Sequence, residues 1–250
     1  MTSPMNHSMN PIVIVPARMA STRLPGKPLA EIHGRAMIVH VMDRAAEANC
    51  GPVVCAAAEP EIVEVITAAG YQAVLTDPEH PSGSDRIFEA LNLCDPDGKH
   101  DVIVNLQGDL PTLAPELVKT VAGLLENPDV DIGTLVSEIT DDEERNNPNV
   151  VKCVAPLDDA HATARALYFT RATAPHGGGP LWHHIGIYAY RRDALGRFVA
   201  MPPGMLEKRE KLEQLRALEA GMRIDAARVD TVPLGVDTPA DLDRARKLLA

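Results

Sequence analysis

Arg18, Arg23 and Lys27 place three cations within ten residues of a chain whose formal net charge is −11. They lie in Pro16-Ala17-Arg18-Met19-Ala20-Ser21-Thr22-Arg23-Leu24-Pro25-Gly26-Lys27-Pro28-Leu29. Charged forks and backbone N–H groups in such a loop can surround a polyphosphate. Gly26 relaxes the backbone, Pro25 and Pro28 stiffen it, and Ser21 and Thr22 add hydroxyl donors. No GxGxxG or Walker A pattern is present, so the dinucleotide and P-loop readings lose support. A solvated loop with scattered charges is the plain alternative. The position of the loop, directly after the β-branched run Ile12–Val15, favours the anion site.

Two carboxylates could complement these cations. Asp109 follows an apolar run in Val104-Asn105-Leu106-Gln107-Gly108-Asp109-Leu110-Pro111, where it either binds Mg²⁺ or simply forms a turn. Asp237, in Gly235-Val236-Asp237-Thr238-Pro239, either binds a metal or shares with Thr238 the capping of a helix that starts near Pro239. Ser82-Gly83-Ser84-Asp85-Arg86 opens another helix, and its amides and hydroxyls either hold a ligand or cap that helix.

The elements that must hold these residues alternate. Ile12–Val15, Pro52–Ala56, Ala73–Thr76 and Val102–Leu106 read as strands, with Pro16 ending the first. Ala36–Ala48, Glu59–Ala69, Ser84–Leu93 and Ala114–Leu125 read as helices between and after them. This alternation implies βαβ units and a parallel sheet, with ligands at the carboxyl ends of the strands. Beyond about residue 127 the pattern loosens. Val130–Val136, Val150–Ala155, Ala166–Phe169, Ile185–Tyr190 and Ile224–Val229 read as strands; Arg192–Val199, Glu207–Ala220 and Pro239–Leu249 read as helices. A continuous helix over 207–220 would align Glu210, Glu213 and Gln214 on one polar face. That face either reads sugar hydroxyls or is solvated, with a Glu207–Lys211 pair.

The length of 250 residues suits one α/β domain with at most a small appendage. The acidic balance argues against a nucleic-acid surface. Cys50, Cys55, Cys94 and Cys153 form no CxxC pair, and the nine histidines include no HExxH. Free thiols, no apolar run of membrane length and a polar leader over residues 1–10 point to a soluble, cytoplasmic protein without membrane insertion.

The stretch PARxxSTRLPGKPL resembles the nucleotide-binding loop of sugar nucleotidylyltransferases, above all the 3-deoxy-manno-octulosonate (Kdo) cytidylyltransferases, or CMP-Kdo synthetases. Further stretches are similar to the same family: SGSDR at 82–86, QGD at 107–109, ALYFTRA at 166–172, HHIGIYAY at 183–190, LEQLR at 212–216 and GVDTP at 235–239. The resemblance runs from about Pro11 to the C-terminus. Departures are Ala58, Asp85, Leu110, Thr170 and a short glycine-rich stretch from His176 to Trp182.

The resemblance implies a Rossmann-like α/β fold of the nucleotide-diphospho-sugar transferase type. Its sheet is mixed, mostly parallel and flanked by helices, with a small sugar-binding and dimerisation subdomain. The implied division is a disordered leader at 1–10, a nucleotide-binding half over about 11–127, a sugar-binding and dimerisation part over about 128–230, and a closing metal motif and helix at 235–250. The implied reaction joins CMP from CTP to Kdo for lipopolysaccharide biosynthesis, with Mg²⁺ as cofactor, in a homodimer. Alternatives are another acidic sugar, such as an amino-Kdo analogue or sialic acid, or a non-catalytic nucleotide-binding module. By the same resemblance, Arg18, Lys27 and Asp109 are catalytic. Pro16, Ala17, Arg18, Arg23, Lys27, Ser82, Gly83, Gln107 and Asp109 bind nucleotide. Arg86, Gln107, Arg171, His184, Tyr188, Glu213 and Gln214 bind sugar, and Asp109 and Asp237 hold the metal.

Overall fold

The computed structural model describes residues 9–250, so the expected leader lies outside the described residues as far as Ser8. Asn10 is already tied down: its N–H donates to Asp101 Oδ1 (2.7 Å) and its amide to the Lys99 carbonyl (2.8 Å). The first half comprises β1 (Pro11–Ala17), the hairpin β2 (Glu31–Ile32) and β3 (Arg35–Ala36), α1 (Met37–Glu47), β4 (Val53–Ala57), α2 (Pro60–Ala68), β5 (Gln72–Leu75), α3 (Gly83–Cys94), β6 (Val102–Asn105) and α4 (Glu116–Gly123). The second half comprises β7 (Ile132–Glu138), α5 (Asp142–Asn146), β8 (Lys152–Val154), β9 (Thr163–Arg165), β10 (Tyr168–Thr170), β11 (Trp182–Arg191), α6 (Arg192–Ala200), α7 (Met205–Glu210), α8 (Leu215–Glu219), β12 (Ile224–Arg228) and α9 (Pro239–Leu248).

One mixed sheet runs in the order β5-β4-β1-β6-β11-β7-β12-β9, with β8 joining β11 and β10 joining β8. Strands β5, β4, β1, β6, β7 and β12 share a direction; β11 and β9 run against them. Helices flank both faces. One core joins β1, β6 and β11 to α1, α2 and α4, and a second joins α3, α6 and α8 to the other face. The chain winds outward from β1 to β4 and β5, then returns to place β6 on the other side of β1. That reversal opens a crevice beyond the carboxyl ends of β1 and β6, where ligands bind in open α/β sheets. Both chemically loaded segments, 16–29 and 107–111, leave the sheet there.

Two sequence expectations are corrected. Strand β1 does not stop at Pro16: Pro16 pairs with Ala56 and Ala17 with Ala57. The ladder survives because Ala17 O still accepts from the Ala58 N–H (2.9 Å) just beyond the proline. The helix expected over 207–220 is broken. Lys211 takes a left-handed conformation (φ 56°) that ends α7, and α8 begins only at Leu215. The break swings Arg216 back onto Glu207, bonding it at 2.7 and 2.9 Å, so the expected Glu207–Lys211 pair gives way to Glu207–Arg216. The β2–β3 hairpin, β9 and α5 are further elements of the fold; each is too short to show a clear period in sequence. Among the described residues, no helix is long and apolar enough to cross a membrane.

Candidate active site

The basic loop leaves β1 and closes on itself. Gly26 N–H donates to Met19 O (3.3 Å), and Lys27 N–H to Leu24 O (3.1 Å). Gly26 sits at φ 69°, a conformation glycine adopts without cost, and launches the short turn Lys27–Leu29. That turn aims Lys27 inward. Its Nζ donates to Asp109 Oδ2 (2.8 Å) and Asp237 Oδ1 (3.0 Å), residues 82 and 210 positions away. Arg23 also donates to Asp237 Oδ2 (2.9 Å). Burial works to lower the Lys27 pKa, but the charges and hydrogen bonds of Asp109 and Asp237 outweigh it and hold it above its ordinary value.

The structure settles which residue caps α9. Thr238, not Asp237, caps α9: its Oγ1 accepts from Asp241 N–H (3.2 Å), and Asp241 reciprocates to Thr238 N–H (3.0 Å). The Asp237 carboxylate therefore turns to Lys27 and Arg23. Helix α9 packs on the β2–β3 hairpin through Val236, Leu242, Ala245, Ile32 and Met37, which anchors this distant segment. Gly108 lets Asp109 lie close to the sheet, because a Cβ there would sit 2.8 Å from Pro16 O and 3.0 Å from Ile38 Cδ1.

These groups line a cleft of about 390 Å³, within the range of small-molecule sites. Pro16, Ala17, Arg18, Arg23, Lys27, Ser82, Gly83, Arg86, Gln107, Asp109 and Asp237 all border it. Ser82 also caps α3, accepting from Asp85 N–H (3.2 Å). Arg86 reaches the cleft with its guanidinium already donating to Thr76 Oγ1 (2.7 Å) and to the carbonyls of Asp77 (3.0 Å) and Pro78 (3.3 Å). Leu110 and Ala58, two departures from the family pattern, are buried apolar residues.

The remaining expected residues, Arg171, His184, Tyr188, Glu213 and Gln214, do not line that cleft. Three of them, Tyr188, His184 and Glu213, are linked to its wall through neighbouring residues. Asn105 accepts from Gln107 Nε2 (3.2 Å) and faces Tyr188 across the β6–β11 ladder. The ring of His184 lies 5.5 Å from that of Tyr188 and meets Phe169 edge-on at 4.9 Å. Glu213 Oε2 accepts from Ser84 Oγ (2.9 Å), one position from Gly83 in the cleft wall. Glu213 Oε1 and Gln214 Nε2 are buried with no hydrogen-bond partner among the described residues, although the Arg216 guanidinium stands 3.8 Å from Glu213 Oε1. Burial raises the Glu213 pKa, only partly offset by bonds from Ser82 and Ser84. Burial also pushes the His184 pKa down to about 3. Buried polar atoms without a hydrogen bond are rare and are explained by strain, a catalytic role, or a bound water, ion or ligand. Glu210, expected beside Glu213, instead accepts from Thr170 Oγ1 (2.8 Å) and Arg171 N–H (3.0 Å). The Arg171 guanidinium donates to the carbonyls of Glu210 (2.8 Å), Pro148 (2.9 Å) and Lys211 (3.4 Å).

Sequence reasoning missed His80, which lines the cleft and bonds Glu89 Oε2 (2.5 Å). Its place two residues before Ser82 was the available signal. It also missed Asn105 as a support, since it reads as an interior position of a strand.

The crevice, its cationic loop and its paired carboxylates define a nucleotidyltransferase built on the nucleotide-diphospho-sugar transferase fold. The comparisons are specific. The family model described as Cytidylyltransferase matches residues 12–224. A protein of Paramagnetospirillum magneticum named 3-deoxy-manno-octulosonate cytidylyltransferase is 62% identical over 241 residues, covering 96% of this chain and 98% of its own. One of the same name from Rhodospirillum rubrum is 63% identical over 248 residues, covering 99% and 98%. A solved structure of CMP:2-keto-3-deoxy-manno-octonic acid synthetase complexed with CTP matches with a TM-score of 0.87 at 36% identity, covering 96% of this chain and 98% of that one. A 4-diphosphocytidyl-2C-methyl-D-erythritol synthase from Anaerococcus prevotii, 12% identical with a TM-score of 0.65 over 96% and 98% of the two chains, shares the fold alone. The chain belongs to the cytidylyltransferase family, within its 3-deoxy-manno-octulosonate cytidylyltransferase group.

Proposed function

We propose that this chain transfers CMP from CTP to Kdo, giving CMP-Kdo and pyrophosphate. The observation that carries the reading is the meeting of Asp109 and Asp237 on Lys27 Nζ at the mouth of a cationic cleft. In the reaction, the sugar's anomeric hydroxyl attacks the α-phosphorus of CTP in line, and pyrophosphate leaves. Arg18, Arg23 and Lys27 bind the phosphates and stabilise the charge that gathers on the leaving group. Pro16, Ala17, Ser82, Gly83 and Gln107 hold the nucleotide. Transfer at phosphorus depends mainly on such positioning and electrostatics, so no covalent nucleophile is required.

The donor set fits a hard divalent cation. Magnesium takes one or two protein carboxylates, with phosphate oxygens and water completing its shell. Asp109 and Asp237 meet on Lys27 Nζ, so these two carboxylates are close enough to share one cation with the phosphates. Asp109 and Asp237 would hold Mg²⁺, which when bound supplies charge neutralisation at the α-phosphate and a lower pKa for the attacking hydroxyl.

The acidic sugar occupies a subsite made by His184, Tyr188, Glu213 and Gln214, where its hydroxyls satisfy the orphaned Glu213 Oε1 and Gln214 Nε2. Arg86, on the cleft wall, and Arg171, on the loop after β10, are assigned to the sugar by the family resemblance. Each guanidinium has five N–H groups, of which three are engaged, leaving donors for the sugar carboxylate. The nucleotide-binding half over 11–127, the sugar-binding and dimerisation part over 128–230 and a homodimer complete the proposal.

Pyrophosphate release from CTP, measured with and without Mg²⁺ and with Kdo or sialic acid, tests it. Release only with Kdo and Mg²⁺ is expected. Release with sialic acid alone would overturn the sugar. CTP binding without release would move the reading to a nucleotide-binding module.

A further inference from the structure

We infer that Thr134 is a positioning residue that locks His184 as the Nε2–H tautomer, leaving Nδ1 as a hydrogen-bond acceptor for a hydroxyl of the acidic sugar. The inference rests on the sugar subsite proposed above and adds the direction of one of its hydrogen bonds.

Strand β11 bulges against β7. Ile185 faces Leu135 and Tyr188 faces Thr134, so Gly186 and Ile187 have no partners of their own across this ladder. Bulges re-aim side chains and are frequent beside active sites. Thr134 lies at the bulge, with no solvent exposure, and its Oγ1 meets three groups. Two are carbonyls that only accept: Ile185 O (3.2 Å) and Ile187 O (3.0 Å). The third is His184 Nε2 (3.1 Å).

A threonine hydroxyl has one hydrogen and two lone pairs. If that hydrogen went to His184, both carbonyls would face a bare oxygen in a dry interior. Giving it to one carbonyl leaves only the other so placed, and the hydroxyl must then accept from His184. Nε2 therefore carries the proton. The buried ring is neutral at physiological pH, because burial, with a smaller contribution from His183, pushes its pKa down to about 3. A neutral imidazole has a single N–H, so Nδ1 is bare. No hydrogen bond reaches His184 Nδ1 among the described residues. The His184 ring meets Phe169 edge-on and lies 5.5 Å from the ring of Tyr188, which in turn feels the nearby Glu213. A sugar hydroxyl can donate to this nitrogen; a carboxylate cannot.

Nitrogen-15 NMR of the histidine rings in the full chain, with His184 assigned by loss of its signals in His184→Gln, reads the tautomer without any sugar present. A protonated Nε2 and bare Nδ1 at neutral pH are expected. The opposite tautomer or an imidazolium would overturn the inference while leaving the CTP and Kdo reading intact. Saturation with Kdo should then shift the Nδ1 signal. An unmoved ring, in a protein that turns Kdo over, would also overturn the inference. An unmoved ring with no turnover would overturn both readings.

Steady-state kinetics supply the second readout. Thr134→Val should raise KM for Kdo about tenfold with the CTP KM unchanged, as one lost, well-aimed hydrogen bond allows. Thr134→Ser should restore it. Equal increases in both KM values, or no rescue by serine, would show that Thr134 only braces the strand. If the valine variant does not fold, the tautomer measurement on the unaltered chain still decides.

Discussion

The N–H of Val236 donates to the carbonyl of Asp109 across 2.9 Å. This one backbone bond clips the segment after β12 to the segment after β6, with a metal-candidate carboxylate beside or at each end of it. Val236 is fully buried under α9, so its end of the clip is shielded from water. The carboxylates are thus held near each other by backbone and packing, not only by their shared bond to Lys27.

It follows that Asp109→Asn and Asp237→Asn should disable chemistry without unfolding the chain. Each should lower kcat by on the order of 10³-fold, as expected where an electrostatic partner of a transferring phosphoryl group is removed. The melting temperature should move by only a few degrees. Mg²⁺-dependent pyrophosphate release beside a thermal melt checks both. Near-normal turnover in either variant would remove that aspartate from the metal site.

Two glycines of the cleft should behave differently. Gly108→Ala pushes a methyl to 2.8 Å from backbone at Pro16, so Asp109 must shift. We expect kcat to fall roughly 10- to 100-fold and stability to fall with it. Gly83→Ala places its methyl 3.6 Å from Pro16 Cγ, an ordinary contact, at the first residue of α3. Its fold should be unaffected, with any cost confined to the KM for CTP. Parallel melts and CTP titrations of the two variants would separate them.

Glu207 and Arg216 form a largely buried bidentate pair, with 12% and 9% of their side chains exposed, and Arg216 also stacks over Phe198 at 4.9 Å. Replacing Arg216 alone strands a carboxylate, so Arg216→Met should cost about 3 kcal/mol. Adding Glu207→Met should recover much of it. Burial works to raise the Glu207 pKa, but Arg216 outweighs it and the carboxyl stays below its ordinary value. Its contribution is therefore complete above the unfolded value of 4.5 and is lost as pH falls below that through the lower folded value. Urea melts at neutral and acid pH, with the single and double variants, test the coupling and its sign.

His184 adds a separate pH dependence. Its folded pKa of about 3 lies below the ordinary 6.5, so the unfolded chain binds the extra proton first on acidification. Stability should be flat above pH 6.5 on this account and decline below it, by up to about 1.4 kcal/mol per pH unit. His184→Gln should lack that part of the slope. Identical slopes in variant and parent would mean that the ring is not held neutral.

Much of the nucleotide side was legible because it is local. The cations of 18–27 and the Gly-Asp of 108–109 lie in single segments next to strands whose apolar runs announce themselves. The sugar side was less legible. A regular helical period was read through 207–220, and the left-handed turn at Lys211 broke it, sending Glu210 to Thr170 and Glu213 to Ser84. Lysine gives no local sign of such a turn, since a left-handed conformation is uncommon for any residue but glycine.

The sequence by itself determined the alternation of strands and helices, the place of the crevice and the chemical types gathered there, because hydrophobic period and loop composition are short-range properties. Family resemblance extended this to a pairing of Asp109 with Asp237. Only the tertiary structure decided how that pairing is built: Thr238 takes the cap, α9 docks on the β2–β3 hairpin, and Lys27 receives both carboxylates. It alone also decided which polar atoms of the proposed sugar subsite lack a hydrogen bond. Those outcomes depend on packing between segments as much as 210 residues apart, and no local pattern carries that information.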